Sequence, residues 1–172
     1  MFGENKVDLV YKAKRGNGRA FTKLIEVNLK SIYRVAKGIL KNEEDIEDAI
    51  QNTILNAFSN IKTLRKEELF KTWLIKILIN ECNKIYNFNK KCIYLETVIE
   101  EQYNDKYENL DLKIAVDSLP EELRLVITLF YFEDLKMSQI AEVVGIPEGT
   151  VKSRLSRAKD KIAKSINGKE IM

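Results

Sequence analysis

The feature that most constrains this chain is its shortage of residues that interrupt helices. The 172 residues include only two prolines and seven glycines, a composition that favours helices over a turn-rich all-β fold. Apolar residues recur at helical spacing over 21–40, 46–61 and 69–88. We therefore predict an all-α protein.

The helical pattern weakens once, in an acidic segment. Residues 96–111 hold six acidic residues against one lysine and show little periodicity, as a linker does. We predict two small helical domains joined by a flexible acidic linker. Their predicted bounds are 1–88, 89–113 for the linker, and 114–172. Ser118, ahead of Pro120 and Glu121, is the predicted cap of a helix in the second domain.

The composition argues against an enzyme. Histidine is absent and the only cysteines are Cys82 and Cys92, so neither a zinc site nor the commonest general base is available. No nucleophile-elbow or phosphate-loop pattern occurs. No signal peptide or membrane-spanning run occurs either. We expect a cytoplasmic protein with no catalytic residue, metal or other cofactor.

Residues 138–151 have the order typical of a helix-turn-helix. Ser138 is the predicted cap of the first helix, Gly145 supplies the left-handed turn residue, and Pro147 opens the second helix. On that second helix Val151 and Leu155 belong to an apolar stripe, and an opposite face carries short polar and basic side chains. This face consists of Lys152, Ser153, Ser156 and Arg157.

The polar face has two interpretations: a DNA-recognition helix, which needs serines and basic residues to reach bases and phosphates, or a solvated amphipathic helix. The turn upstream favours DNA binding. Gly149, in the first helical turn, also has two interpretations. It either admits a phosphate to the backbone amides or relieves packing.

A second polar stripe lies on the predicted helix over 69–88. Lys76, Asn80 and Lys84 share a face, with Trp73 at its edge. Amides, ammonium groups and an aromatic ring can hold single-stranded nucleic acid. A half-buried core tryptophan is the simpler explanation of Trp73.

Three motifs in order resemble the extracytoplasmic-function (ECF) class of bacterial sigma factors. DIEDAIQNTILNAF (45–58) is similar to the polymerase-binding helix of that class, and FKTWLIKILIN (70–80) to its minus-ten helix. The segment from Leu119 to Ile162 is similar to its C-terminal DNA-binding domain. Ile54 stands where phenylalanine is usual, and Lys84 and Asn87 replace frequent acidic and arginine residues.

The resemblance implies a promoter-specificity subunit that binds core RNA polymerase, at the β′ clamp helices and the β flap, and binds promoter DNA. It implies a loop over 61–69 that holds a flipped base, and a cognate anti-sigma factor, often membrane-anchored in this class. The implied polymerase-binding residues are Asp45, Asp48, Gln51, Ile54 and Phe58. The implied minus-ten residues are Leu64, Arg65, Lys66, Trp73, Lys76, Asn80 and Lys84. The implied minus-thirty-five residues are Gly149, Thr150, Lys152, Ser153, Arg154, Ser156 and Arg157.

Two rival functions remain. A stand-alone helix-turn-helix transcription regulator would carry a receiver domain or ligand pocket upstream, whereas the first half lacks alternating strands. A protein that only mimics a sigma factor would not need outward-facing basic side chains such as those of Lys152 and Arg157.

Overall fold

The computed structural model describes residues 5–92 and 110–167. These ranges contain helices and turns and no strand, which confirms the all-α prediction. The chain divides into two compact units, Met1–Phe88 and Asn89–Met172. Most of the predicted linker, 93–109, lies outside the described residues. Both described ends of the predicted linker are helical, because α4 runs to Cys92 and α5 begins at Leu110.

The N-terminal unit is built from four α-helices and two short 3₁₀ turns within its described residues. The 3₁₀ turns are Ile61–Thr63 and Glu67–Leu69. The helices are α1 (Lys6–Lys14), α2 (Gly18–Ile39), α3 (Glu43–Asn60) and α4 (Phe70–Cys92). Sequence analysis predicted the last three and missed α1, which packs against α2 and against both 3₁₀ turns.

The core of this unit forms where the apolar faces of the helices meet. On α4, Leu74, Ile75 and Leu78 are completely buried. Burying each such side chain contributes about 1.5–3 kcal/mol, which fixes how α4 is rotated about its axis. Leu29 of α2 is an exception to the apolar spacing of that helix, because it is 47% exposed.

The C-terminal unit contains four further α-helices among its described residues. A short π-helical turn, Thr128–Phe132, follows the second of them and buries Leu129. The helices are α5 (Leu110–Asp117), α6 (Glu121–Ile127), α7 (Met137–Val144) and α8 (Glu148–Asn167). Helix α8 packs against α5, α6 and α7, so the three other helices together support it.

Neither of the two serines that were predicted to cap a helix does so. The Ser118 hydroxyl donates to the Ala115 carbonyl at 2.8 Å, so Ser118 belongs to the end of α5, and Pro120 precedes α6. Ser138 lies inside α7, which starts one residue earlier. At that start the Lys136 amide donates to the Gln139 side-chain oxygen at 3.0 Å.

The turn between α7 and α8 is formed as predicted. Gly145 has φ +76°, the left-handed region that side chains other than glycine adopt at a cost. The Gly145 and Ile146 amides both donate to the Ala141 carbonyl, at 2.9 and 3.1 Å. These bonds close the C-terminus of α7, after which the Pro147 carbonyl accepts the first bonds of α8.

Two glycines of this unit make a matched pair of substitutions. A Cβ at Gly145 or Gly149 would meet no atom within 4 Å, but only Gly145 has a positive φ. Gly145→Ala should therefore lower the free energy of unfolding by about 1–2 kcal/mol. Gly149→Ala should raise it by up to about 1 kcal/mol. Circular dichroism during thermal unfolding measures both, and equal shifts for the two variants would contradict this account.

Candidate nucleic-acid and protein interfaces

The outer face of α3 combines carboxylates, an amide and two exposed apolar side chains. Asp48 and Gln51 are exposed, as predicted for this helix. Leu55 and Phe58 on the same face are 66% and 60% exposed. Large apolar side chains grouped at a surface mark protein interaction sites. The face therefore suits a protein partner.

The remaining α3 positions define the border of that face. Phe58 packs edge-on against Phe21 of α2, with ring centroids 5.1 Å apart, so its ring is held in place although exposed. Asp45 and Ile54, also predicted to bind the polymerase, are half-buried. Leu55 was not predicted from the sequence to be a binding residue, although a large apolar side chain on the otherwise polar outer face of α3 indicates one.

The polar stripe of α4 lies opposite the buried face of that helix. Asn80 and Lys84 are exposed, and Trp73 and Lys76 are half-buried. Trp73 contacts Phe70, with ring centroids 5.9 Å apart. The half-burial agrees with the core interpretation of Trp73 and still leaves part of its ring at the edge of the stripe.

A buried carboxylate on α4 links the polar stripe of that helix to α3. The Glu81 side chain is 10% exposed and accepts from the Lys84 ammonium at 2.7 Å. The same Glu81 oxygen accepts from the Asn56 side-chain amide of α3 at 3.2 Å. Lys84 is therefore an ion-pair partner within the unit, a role that the sequence did not reveal.

The loop 61–69 between α3 and α4 presents charge and buries two of its three apolar residues, Ile61 and Leu64, while Leu69 is 40% exposed. Arg65 and Lys66 are exposed, as expected of residues that contact nucleic acid. Leu64 departs from its prediction: its side chain is 5% exposed and belongs to the core. A buried side chain cannot line a surface pocket, so Leu64 can act on a ligand only through the position of its backbone.

The outer face of α8 is polar and basic, as its helical spacing predicted. Val151 and Ala158 are completely buried, which turns the opposite side of the helix to the surface. Thr150 is half-buried beside that side. Five of the residues predicted to contact DNA are exposed on that side: Gly149, Lys152, Ser153, Ser156 and Arg157.

Gly149 and Arg157 each gain a clearer interpretation. The packing-relief interpretation of Gly149 is wrong within the described residues, because an added Cβ there would find open space. Its phosphate-binding role stays a prediction. The Arg157 guanidinium donates to the Ser153 carbonyl at 3.4 Å, a long and exposed bond that does not withdraw its charge from the surface.

Arg154 differs from its neighbours on α8. Its guanidinium lies 2.7 Å from the Glu122 carboxylate of α6, and the Arg154 side chain is only 19% exposed. This ion pair fastens α8 to α6. Arg154 therefore supports the helix and is less accessible than predicted, and the role of Glu122 was missed from the sequence.

The structure contains no sign of a reactive centre in the residues it describes. Burial raises the pKa of the Cys82 thiol to about 12, so the nucleophilic thiolate is essentially absent at neutral pH. In residues 5–92 and 110–167 no group of acidic or cysteine side chains could hold a metal ion. Nor does any helix in these ranges have the length and apolarity to cross a membrane.

The two units correspond to two known sequence families. Residues 24–90 match the model of Sigma-70 region 2, and residues 111–162 match that of Sigma-70, region 4. RNA polymerase sigma factor SigV of Bacillus subtilis (strain 168) is 38% identical over 130 residues, covering 73% of this chain and 78% of SigV. ECF RNA polymerase sigma factor SigW of the same organism is 26% identical, covering 91% of this chain and 94% of SigW.

This chain is an ECF sigma factor. Sigma factors are non-enzymatic transcription initiation factors, in keeping with the absence of histidine from the sequence. The match of the first half to Sigma-70 region 2 also sets aside the stand-alone helix-turn-helix regulator.

Solved structures share the fold of this sigma factor. RpoE, in complex with the anti-sigma factor NepR from Bartonella quintana, has a TM-score of 0.75 at 23% identity, covering 86% of this chain and 96% of RpoE. CnrH, in complex with the cytosolic domain of CnrY, has a TM-score of 0.69 at 22% identity, covering 95% of this chain and 97% of CnrH.

Two arginines of α8 should respond differently to truncation. Arg157→Ala should weaken binding to a minus-thirty-five duplex by about 1–3 kcal/mol and leave the melting temperature unchanged, because the side chain is exposed. Arg154→Ala should lower the free energy of unfolding by up to about 1 kcal/mol, because it breaks the ion pair with Glu122. Fluorescence anisotropy and thermal unfolding measure the two effects; the reverse pattern would show Arg154 to be the DNA contact.

Proposed function

We propose that this sigma factor binds core RNA polymerase through the outer face of α3 and directs promoter-specific initiation. The polymerase elements would be the β′ clamp helices for α3 and the β flap for the C-terminal unit. The α4 stripe and the loop 61–69 would bind the minus-ten element, and α8 would bind the minus-thirty-five element. Nucleotidyl transfer would belong to the polymerase.

The exposed pair Leu55 and Phe58 carries this proposal. Exposed apolar side chains that lie together on one face mark interaction sites, and Leu55 and Phe58 are among the most exposed large apolar residues of the described chain. Asp48 and Gln51 beside them supply polar groups at the rim, where interface specificity is commonly set. The combination is that of a protein-binding face on a chain whose family acts with RNA polymerase.

The DNA contacts follow from the two polar faces. Lys152, Ser153 and Arg157 are exposed on a helix whose other side is buried, the arrangement required to enter a major groove. On α4, Asn80 and the exposed part of Trp73 suit an unpaired strand, since amides and aromatic rings bind bases whose edges and faces are open.

An anti-sigma factor is part of the proposed function. RpoE and CnrH, which share this fold, were each solved bound to another protein, which for RpoE is an anti-sigma factor. An inhibitor that covered the outer face of α3 would block the polymerase and would shield Leu55 and Phe58 from water. A membrane-anchored inhibitor would hold this sigma factor at the cytoplasmic side of a membrane.

Transcription in vitro tests the proposal as a whole. Purified core RNA polymerase is given a library of promoters with and without this protein, and the transcripts are sequenced. We expect initiation at a subset of promoters that share minus-ten and minus-thirty-five sequences, only when the protein is added. Promoter-independent transcription in both reactions would disprove the sigma-factor function.

Leu55→Ser tests the polymerase-binding face separately. Removing an apolar side chain that becomes buried in a complex should weaken binding by about 1.5–3 kcal/mol, which is roughly 10- to 150-fold. The melting temperature should not fall, because Leu55 is exposed in the free protein. Val7→Ser, which changes an exposed apolar residue of α1, is the control. Equal affinity of both variants for core polymerase would exclude this face.

A further inference from the structure

A lysine of α1 holds the loop that separates α3 from α4. The Lys14 ammonium donates to the Leu64 carbonyl at 2.9 Å and to the Glu67 carboxylate at 2.6 Å. The two acceptors lie on either side of Arg65 and Lys66. One cation thus holds both ends of the segment that carries Arg65 and Lys66.

The contacts of Lys14 are partly sheltered from water. The Lys14 and Glu67 side chains are 22% and 26% exposed, and the Leu64 side chain beside them is buried. The hydrogen bond from Lys14 lowers the pKa of the Glu67 carboxyl, so Glu67 is ionised at neutral pH. Hydrogen bonds between charged groups are shorter and stronger than neutral ones, and this one joins residues 53 positions apart.

We propose that Lys14 is a positioning residue for base selection by the loop 61–69, acting through the Leu64 carbonyl and the Glu67 carboxylate. The inference rests on the proposed binding of the minus-ten element by this loop. Lys14 itself does not contact DNA in this proposal. It holds the backbone between Leu64 and Glu67 in one conformation before DNA arrives.

Preorganisation is the physical reason for such a role. Extruding a base from a duplex costs a few kcal/mol, and a loop that must also become ordered adds its own entropy cost. A loop already held at Leu64 and Glu67 avoids that second cost. It also presents its hydrogen-bonding groups at fixed positions, which a base must match if one base is to be preferred over another.

The pair also removes an unfavourable charge. Glu67 follows Arg65 and Lys66 closely, and an uncompensated carboxylate there would repel a DNA phosphate. Lys14 neutralises it from the protein side. The loop then presents three exposed cations, Lys62, Arg65 and Lys66, against one exposed carboxylate, that of Glu68.

Hydrogen exchange tests the clamp without DNA. The Leu64 and Leu69 amides donate within the loop, to the Ile61 and Lys66 carbonyls, and report its opening. In Lys14→Met, which removes both hydrogen bonds that the ammonium donates, their exchange should accelerate by at least roughly tenfold. Lys14→Arg should restore most of the protection, because arginine can donate to both acceptors. The control Lys6→Met removes an exposed α1 charge and should exchange like the wild type.

Transcription by the holoenzyme from promoters randomised over the minus-ten and minus-thirty-five elements tests base selection. With Lys14→Met the preference for the best minus-ten base should fall at least about threefold in ratio, while the minus-thirty-five preference, set by the other unit, stays unchanged. Glu67→Gln should act in the same direction. If Glu67→Gln acted only by removing a negative charge from the loop, it would instead raise transcription equally for every minus-ten base.

Each outcome decides between separate claims. If the wild type shows no minus-ten preference, the proposed function fails, and this inference fails with it. If the wild type is selective and Lys14→Met and Glu67→Gln keep the same minus-ten preference, only the role of Lys14 is overturned. Loss of selectivity at both elements in Lys14→Met, without the same loss in Glu67→Gln, would indicate a general structural defect and would also overturn it.

Discussion

Burial of one apolar face on each long helix determines which side chains this protein can present. On α4 the buried residues Leu74 and Leu78 are four apart, so positions on the opposite side, such as Asn80, must face outward. Val151 and Ala158 have the same effect on α8. The polar stripes of α4 and α8 are therefore consequences of core formation. Rotating α4 would expose several completely buried side chains at about 1.5–3 kcal/mol each, and rotating α8 would expose Val151 and Leu155.

Three ion pairs then restrain charged side chains that helical spacing alone would leave unpaired at the surface. Glu81 holds Lys84, Glu122 holds Arg154, and Lys14 holds Glu67. The pairs at Arg154 and Lys14 each join two elements within one unit. Exposed ion pairs contribute little to the free energy of unfolding, so their importance lies in position. They fix where a loop or a recognition helix stands before any partner binds.

Helical periodicity predicted α2, α3, α4 and α8 and their outer faces, because spacing along one helix is a local property. The error at Leu64 has a non-local cause, whereas the errors at α1 and at the cap of α7 are local. Leu64 was assigned to a binding surface, but it is buried, and its carbonyl accepts from Lys14 of α1, 50 residues earlier in the chain. Helix α1 itself has only nine residues and a weak apolar pattern. The cap of α7 was placed two residues too late, at Ser138 instead of Lys136, because the Gln139 side chain accepts from the Lys136 amide.

The ion pairs also bear on how two small units could select a promoter. Each protein cation that neutralises a phosphate strengthens binding to every sequence and makes it salt-dependent. Arg154 is held by a carboxylate and its side chain is only 19% exposed, so the C-terminal unit has one cation fewer for such uniform binding. Weak uniform binding makes the base contacts a larger share of the total. A chain of this kind would bind DNA well only when a polymerase presents both units together, since joining two sites raises the effective concentration of the second.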